Sequence, residues 1–237
     1  MPPTLTKNIF SLASLPLLAS FFLAFVPVLL ALVTNLKTTF YFLLGLFFYL
    51  LVHYKFAKKT GYFYIFSHEM SHALSGLLHG IRIKKVSVKK NSGYVVFKGK
   101  PNYLTDLAPY FIPFYALAAA LLYFSAGYFL EISAYRSFFI FVEGFFIAFH
   151  VINTAEIIAG PVQSDFRKAG GFFFSFVFTA ALNLLFMALI LKMLFPGLVD
   201  LSAITKKTGS NLSGTAGFSV RAFKRVYNTA KIYMDKQ

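Results

Sequence analysis

The chain has 237 residues, of which 58% are hydrophobic, 19% aromatic and only 13% charged. This composition excludes a soluble globular protein of the same length, which would need far more polar surface, and it predicts an all-α polytopic membrane protein. The formal net charge is +15, and because the basic residues cluster between or after the apolar runs, it favours contact with anionic membrane lipid over nucleic-acid binding.

Two long apolar runs begin the chain. The first, from Ile9 to Val33, is long enough to cross about 30 Å of hydrocarbon. It is too long for the hydrophobic part of a secretory signal, so we expect a retained helix that Pro16 and Pro27 bend. The second run, from Thr38 to about Tyr54, ends in a group of lysines. Residues 1–61 are therefore predicted to contain two N-terminal transmembrane helices.

The apolar stretch from Tyr62 to Leu78 contains the pattern His-Glu-x-x-His and is expected to form a short helix. Residues four apart lie on one face of a helix, so His68 and His72 can hold one metal ion between their imidazoles. Glu69 would lie beside such an ion rather than on it, which is the position of a general base. The chain contains no cysteine, which excludes a thiolate metal site.

Residues 81–100 differ in character from the apolar runs around them. Apolar and basic residues alternate there with a loose period of two, Asn91-Ser92-Gly93 provides turn residues, and Tyr94 to Phe97 form a second β-rich run. We predict a short β-hairpin after the metal-motif helix. It would lie at the membrane surface, with its basic side chains toward water or lipid head groups.

Three further apolar runs follow, at residues 107–130, 137–158 and 171–195. The middle run also carries four polar or ionisable residues, namely Glu143, His150, Asn153 and Glu156. Within a membrane such groups face a bundle interior or a site by default. The sequence thus predicts about five to six transmembrane helices in total, with residues 62–195 as the core that carries the motif.

Residues 196–237 form a polar and basic tail. Between positions 218 and 234, apolar residues recur at helical spacing among basic ones, which is the pattern of an amphipathic helix lying in the head-group region. A solvated tail without such a helix is the alternative.

These stretches together resemble the site-2 protease family of intramembrane zinc metalloproteases, most closely its M50B-like branch. The resemblance covers roughly residues 62–170 and rests on His68-Glu69-Met70-Ser71-His72-Ala73-Leu74, Ser92-Gly93-Tyr94, Ala108-Pro109-Tyr110-Phe111-Ile112-Pro113 and Ser164-Asp165. It implies a zinc-dependent endopeptidase that hydrolyses peptide bonds in or near transmembrane segments of membrane proteins. The hairpin would then present an edge strand to an unwound segment of the substrate.

The resemblance also implies a ligand set for one Zn²⁺, formed by His68, His72 and Asp165, with Glu69 as the catalytic base. The separation of His72 and Asp165 along the chain is similar to the family's usual gap. Asp165 follows a helix break at Gly160-Pro161, where a short side chain can turn inward. The sequence departs from the Leu-Asp-Gly pattern that is common in the family, because phenylalanine follows Asp165.

Two other residues compete with Asp165 for the third ligand position. His150 and Glu156 are six apart, so on a regular helix their side chains point about 120° apart and at most one of them faces the metal. Asp165 could alternatively be a loop carboxylate that pairs with Arg167 and Lys168. By the same resemblance, Asn153 would help to orient the substrate backbone, as an asparagine does in the family.

Three other interpretations stay open. The motif could be two buried histidines and a paired charge in a helix bundle, although such groups are costly in hydrocarbon without a use. The protein could be a non-proteolytic membrane scaffold of the same fold, which would have no need of His68, Glu69 and His72 together. It could also be a small proton or metal transporter that uses these groups with His150 and Glu156, although the chain has no detectable repeat.

In each case we expect a multi-pass integral membrane protein, with a prokaryotic plasma membrane favoured.

Overall fold

The computed structural model describes residues 3–56 and 61–215, and within these ranges helices and one two-stranded hairpin are connected by short segments. In chain order the elements are α1 (Pro3–Thr34), α2 (Leu36–Phe56), α3 (Gly61–Leu78), β1 (Ile83–Val88), β2 (Gly93–Phe97), α4 (Tyr103–Leu107), α5 (Phe114–Phe129), α6 (Arg136–Ala159), α7 (Ser164–Ala169), α8 (Phe172–Leu194) and, over residues 201–215, α9. The predicted all-α polytopic class, with a hairpin after the metal-motif helix, is confirmed.

Four helices of the described chain are long and apolar enough to cross a membrane, over Leu5–Thr34, Leu36–Lys55, Ser133–Ala159 and Phe172–Leu194. A fifth span is counted if the bent pair formed by Tyr103–Tyr110 and Phe114–Phe129 crosses as one unit. The expected five to six helices therefore agree with the structure at the lower end. The helix that carries the histidines, α3, is not among these spans.

The helices α2 and α6 pack with their backbones in direct contact. A Cβ atom at Gly144 would lie 2.1 Å from the carbonyl oxygen of Phe42, and one at Gly45 would lie 2.1 Å from that of Phe141. Only glycine fits at these two positions, and small residues of this kind let membrane helices approach closely. This contact fixes α6, whose end leads through residues 160–163 directly into α7.

The apolar run at residues 107–130 forms a bent pair rather than one straight helix. A 3-10 turn over Ala108–Tyr110 follows α4, and α5 begins only after Pro113, with a bend of 83° between the two parts. Pro113 has no N–H group and disfavours the helical conformation in the residue before it, which explains the break. The carbonyl of Tyr110 accepts a hydrogen bond of 2.7 Å from the side-chain amide of Asn183 in α8, so a neighbouring helix satisfies a backbone group at the break.

The hairpin lies against α3. Its strands are antiparallel, with Val86 opposite Val95 and Val88 opposite Gly93. The ring of Phe97 packs so closely on the helix that a Cβ atom at Gly76 would lie 2.3 Å from it. The hairpin is thereby held next to the helix that carries the histidines.

A helix that the sequence analysis missed, α9, follows α8. The Asp200 carboxylate accepts hydrogen bonds from the backbone N–H groups of Ser202 and Ala203, at 2.8 and 3.1 Å, and so caps the helix start. Ile204 and Thr208 are buried one turn apart, which anchors α9 to the bundle. The amphipathic helix predicted at residues 218–234 lies outside the described residues.

Candidate metal centre

The imidazoles of His68 and His72 meet on one face of α3. Their spacing of four residues places them one turn apart, and their Nε2 atoms lie 3.2 Å from each other. The side chains are only 16% and 12% exposed. The helix therefore holds two aromatic nitrogen atoms close together in a largely desolvated position.

The carboxylate of Asp165 reaches the same point from α7. Its Oδ2 atom lies 3.4 Å from Nε2 of His68 and 3.5 Å from Nε2 of His72. The helix break at residues 160–163 redirects the chain after α6, so that the first turn of α7 faces α3. Among the described residues, these three side chains form the one group that could hold a metal ion.

Both histidines are oriented by a second contact at Nδ1. The Nδ1 atom of His72 lies 2.8 Å from the Thr105 carbonyl, and because a carbonyl only accepts, this nitrogen must carry the proton. The Nδ1 atom of His68 lies 3.2 Å from the hydroxyl of Tyr64, which can accept a hydrogen bond in the same way. Such contacts leave the Nε2 lone pairs directed at the site, which is the arrangement found around metal-binding histidines.

Asp165 is oriented by the bent segment that precedes α5. The hydroxyl of Tyr110 donates a hydrogen bond of 3.0 Å to Oδ2 of Asp165. The Tyr110 ring is 1% exposed and packs edge-on against Phe166 and His68. The hydrogen bond from Tyr110 therefore fixes the direction in which the carboxylate faces.

The geometry of these three groups suits a metal ion. A tetrahedral zinc site with metal–ligand distances of about 2.0–2.1 Å has ligand–ligand edges of about 3.3–3.4 Å. The three observed separations, 3.2, 3.4 and 3.5 Å, lie close to this value. Two nitrogen lone pairs and a carboxylate that converge in this way repel one another unless a cation lies between them. Imidazole and carboxylate are also ligand types that zinc prefers.

Glu69 lies beside this group without belonging to it. It is 6% exposed and packs under the start of β2, where a Cβ atom at Gly93 would lie 2.5 Å from its Cγ and 2.7 Å from its Oε1. A larger residue than glycine would displace the carboxylate. The Ser92-Gly93-Tyr94 turn thus has a physical role, since it lets the hairpin cover Glu69 closely.

A cleft of about 350 Å³ gives access to these side chains. Its walls come from α3, β2, α4 and α7, and its lining residues are His68, Glu69, His72, Gly93, Tyr94, Val95, Phe97, Pro101, Asp106, Gln163, Ser164, Asp165 and Lys168. The cleft is large enough for a short extended peptide segment. One side of it is formed by the hairpin strand β2.

Asn153 lies outside this cleft. Its side-chain amide donates hydrogen bonds of 2.7 Å to the hydroxyl of Tyr49 and to the carbonyl of Phe149. It lines a separate cavity of about 10 Å³, next to Tyr64 and Ser67. A role for Asn153 in orienting the substrate stays a prediction.

The other two candidates for the third ligand also have different partners. His150 is hydrogen-bonded to the side chain of Asn183 at 2.9 Å, and Glu156 pairs with His53 at 3.0 Å. Neither belongs to the group around His68. Sequence reasoning also missed the orienting contacts from Tyr64, Thr105 and Tyr110, because two of these depend on the bend before α5.

Comparison with known proteins agrees with this geometry. The profile of a family described as Peptidase M50B-like matches residues 41–211, a range that contains the whole of the metal centre and its cleft. No curated protein and no solved structure shows significant similarity to the chain. The family match covers well over half of the sequence and agrees with the resemblance seen in its motifs. The chain therefore belongs to the Peptidase M50B-like family.

Proposed function

We propose that the protein is a zinc-dependent intramembrane endopeptidase, which hydrolyses peptide bonds in or near the transmembrane segments of other membrane proteins. The observation that carries this proposal is the convergence of two imidazole nitrogens and one carboxylate oxygen at separations of 3.2–3.5 Å, with Glu69 in the same cleft. The family match supports the peptidase class. The apolar helices support a membrane location for the substrate.

In this proposal His68, His72 and Asp165 hold the ion. A zinc ion in this position would supply Lewis acidity, which lowers the pKa of water and polarises the scissile carbonyl. The contacts from Tyr64, Thr105 and Tyr110 keep the three ligands in place. The protein thus contributes a preorganised ligand set, so little reorganisation is needed when the metal binds.

Glu69 acts as the general base and then as the general acid. Its carboxylate accepts a proton from a water molecule while the water oxygen attacks the carbonyl carbon of the peptide bond. When the C–N bond breaks, Glu69 returns this proton to the leaving amine. The close cover from Gly93 restricts the positions that the carboxylate can occupy, which favours proton transfer in one fixed geometry.

The substrate would bind along the hairpin. Within the described residues β2 is paired only with β1, so its other edge has no strand partner. Four of its residues line the cleft: Gly93, Tyr94, Val95 and Phe97. An extended peptide that pairs with this edge would run past the metal centre. A transmembrane helix has to unwind locally before it can bind in this way, which would select segments with weak helix propensity.

The decisive experiment combines zinc analysis of the purified protein with cleavage of a generic transmembrane substrate. The wild-type protein should contain one zinc ion per chain and should cut the substrate. Glu69→Gln should keep its zinc but lose cleavage by at least about 100-fold, since general acid–base catalysis contributes on the order of 10²–10⁴. Normal cleavage by this variant would overturn the hydrolase proposal. Zinc flux across vesicles, without cleavage, would indicate the transporter instead.

A further inference from the structure

A second cleft, with positively charged walls, adjoins the metal centre. It has a volume of about 550 Å³ and is lined by Lys7, Lys100, Pro101, Tyr103, Asp106 and Lys168. These residues come from the start of α1, the segment after β2, α4 and α7. Three of them, Pro101, Asp106 and Lys168, also line the metal cleft, so the two clefts share a wall.

The charges in this second cleft are not balanced. Its lining contains three lysines and one acidic residue, Asp106. No carboxylate of the described residues forms an ion pair with Lys7 or Lys100, and the nearest one to Lys168 is Asp165, at 3.7 Å. The cleft therefore has a net positive charge that the described part of the chain does not neutralise.

Lys7 is held in position by uncharged groups. Its ammonium group donates a hydrogen bond to the Ala169 carbonyl and lies 5.4 and 5.2 Å from the ring centroids of Tyr103 and Phe174. These contacts order the lysine but leave its charge uncompensated. An ordered, uncompensated cation next to two others is suited to binding an anion.

The position of the cleft indicates the source of that anion. Lys7 lies in the first turn of the span Leu5–Thr34, and Lys168 lies just before the span Phe172–Leu194. Both lysines are thus at the ends of apolar helices, where lipid head groups are found. Tyr103, which has an apolar ring with a polar tip, also suits this interface.

We propose that this cleft binds the phosphate of an anionic phospholipid head group, held by Lys7, Lys100 and Lys168. The volume is sufficient for a head group with its glycerol. Because Lys168 also faces Oδ1 of Asp165, a bound phosphate competes for this lysine with a candidate metal ligand. Lipid binding is therefore linked to the metal centre. The lipid site itself does not depend on whether the protein cleaves peptides.

The experiment measures lipid retention by the full chain, purified from bilayers of phosphatidylcholine that contain a minor fraction of phosphatidylglycerol. Native mass spectrometry counts the lipids that stay bound. The test variant is Lys7→Gln/Lys100→Gln, and the matched control is Lys206→Gln/Lys207→Gln, which removes the same charge from exposed positions on α9. We expect wild type and control to retain phosphatidylglycerol selectively, and the test variant to lose this selectivity by about tenfold or more.

Equal selectivity in all three proteins would overturn the proposal. Lys100→Gln alone removes no hydrogen bond in the described chain, so it tests the site even if the double variant folds poorly, and it should lower selectivity in the same direction. All of these measurements can be made in the Glu69→Gln background, since they need no turnover. Their failure is thus distinguishable from a failure of the proposed peptidase activity.

Two further probes distinguish the possible sources of the anion. Inorganic phosphate should displace phosphatidylglycerol from the wild-type protein at millimolar concentration, because both present the same group. If inorganic phosphate binds but phosphatidylglycerol is not enriched, the site takes a soluble anion and the lipid proposal is wrong. If an acidic transmembrane peptide, and not the lipid, loses binding in the test variant, the cleft is a substrate subsite.

Discussion

Two polar clusters in this helix bundle contain the same types of residue but arrange them differently. In the first, between α2 and α6, Asn153 donates to Tyr49 at 2.7 Å, Tyr49 contacts Nδ1 of His53 at 3.1 Å, and Nε2 of His53 contacts Glu156 at 3.0 Å. Every donor in this chain of contacts can meet an acceptor, so the cluster is complete without a further group. We call these four residues the closed cluster.

The candidate metal centre is the opposite case. When Nδ1 of each histidine donates to its partner, the Nε2 lone pairs of His68 and His72 point at each other and at a carboxylate. Acceptors meet acceptors, which is stable only if a cation is supplied from outside. A metal site is therefore recognised by converging acceptors, and the presence of histidine beside a carboxylate is not sufficient.

The strongest test of this difference removes one histidine from each cluster. His68→Ala and His72→Ala should each lower zinc affinity by more than about 100-fold, above the 10–100-fold range for outer-shell partners. His53→Ala should leave zinc affinity unchanged, because His53 belongs to the closed cluster. Chelator competition gives the affinities. Full zinc retention in both α3 variants would show that the metal binds elsewhere.

The carboxylates give the second comparison. Asp165→Asn removes the ligand charge with little change in shape, and we expect a loss of about 100-fold in zinc affinity together with a similar loss of activity. Glu156→Gln makes the same chemical change in the closed cluster and should be much milder. If the effects were reversed, the third ligand would be Glu156 from the preceding helix.

Substitutions at two glycines should have different effects, one on activity and the other on stability. Gly93→Ala places a methyl group 2.5 Å from Cγ of Glu69, so we expect activity to fall by about tenfold or more with zinc content unchanged. Gly144→Ala places one 2.1 Å from the Phe42 carbonyl, which should instead lower the thermal unfolding temperature. Zinc loss in Gly93→Ala would mean that the hairpin supports the ligands as well as the base.

The smallest expected effect concerns the tyrosines. Tyr110→Phe keeps the buried ring but removes the hydrogen bond to Asp165, and should lower zinc affinity by about tenfold. Tyr115→Phe is the matched control, since the Tyr115 hydroxyl donates to the carbonyl of Phe63. Equal zinc affinities in the two variants would show that Tyr110 has only a packing role.

The pairing of the two histidines on α3 and the hairpin could be predicted from the sequence, because both depend on local spacing. The placement of His68 and His72 on one face of α3 follows from helical periodicity, and the hairpin follows from alternation with a turn. The position of Asp165 needed the family resemblance in addition, since no periodicity relates residues on α3 to residues on α7.

Other contacts depend on how distant segments pack, and so had no sequence signal. The contact of Tyr110 with Asp165 requires the 83° bend before α5, and a proline indicates a break without giving its direction. The approach of Lys7 to α7 joins the first helix to one that lies far along the chain. The helix α9 had a usable signal in Asp200, a favourable N-cap residue, which the polar composition of the tail obscured.

The bend before α5 also has a consequence for the timing of biosynthesis. The carbonyl of Tyr110 is satisfied by Asn183 of α8, and Asp165 lies in α7, immediately before that helix. During synthesis the histidines of α3 leave the ribosome long before these partners exist. The ligand set can be completed only after α7 has emerged, and its tyrosine support is fixed only once α8 has been inserted. Under the proposed function, a nascent chain would therefore cut no substrate until nearly all of its described helices have been made.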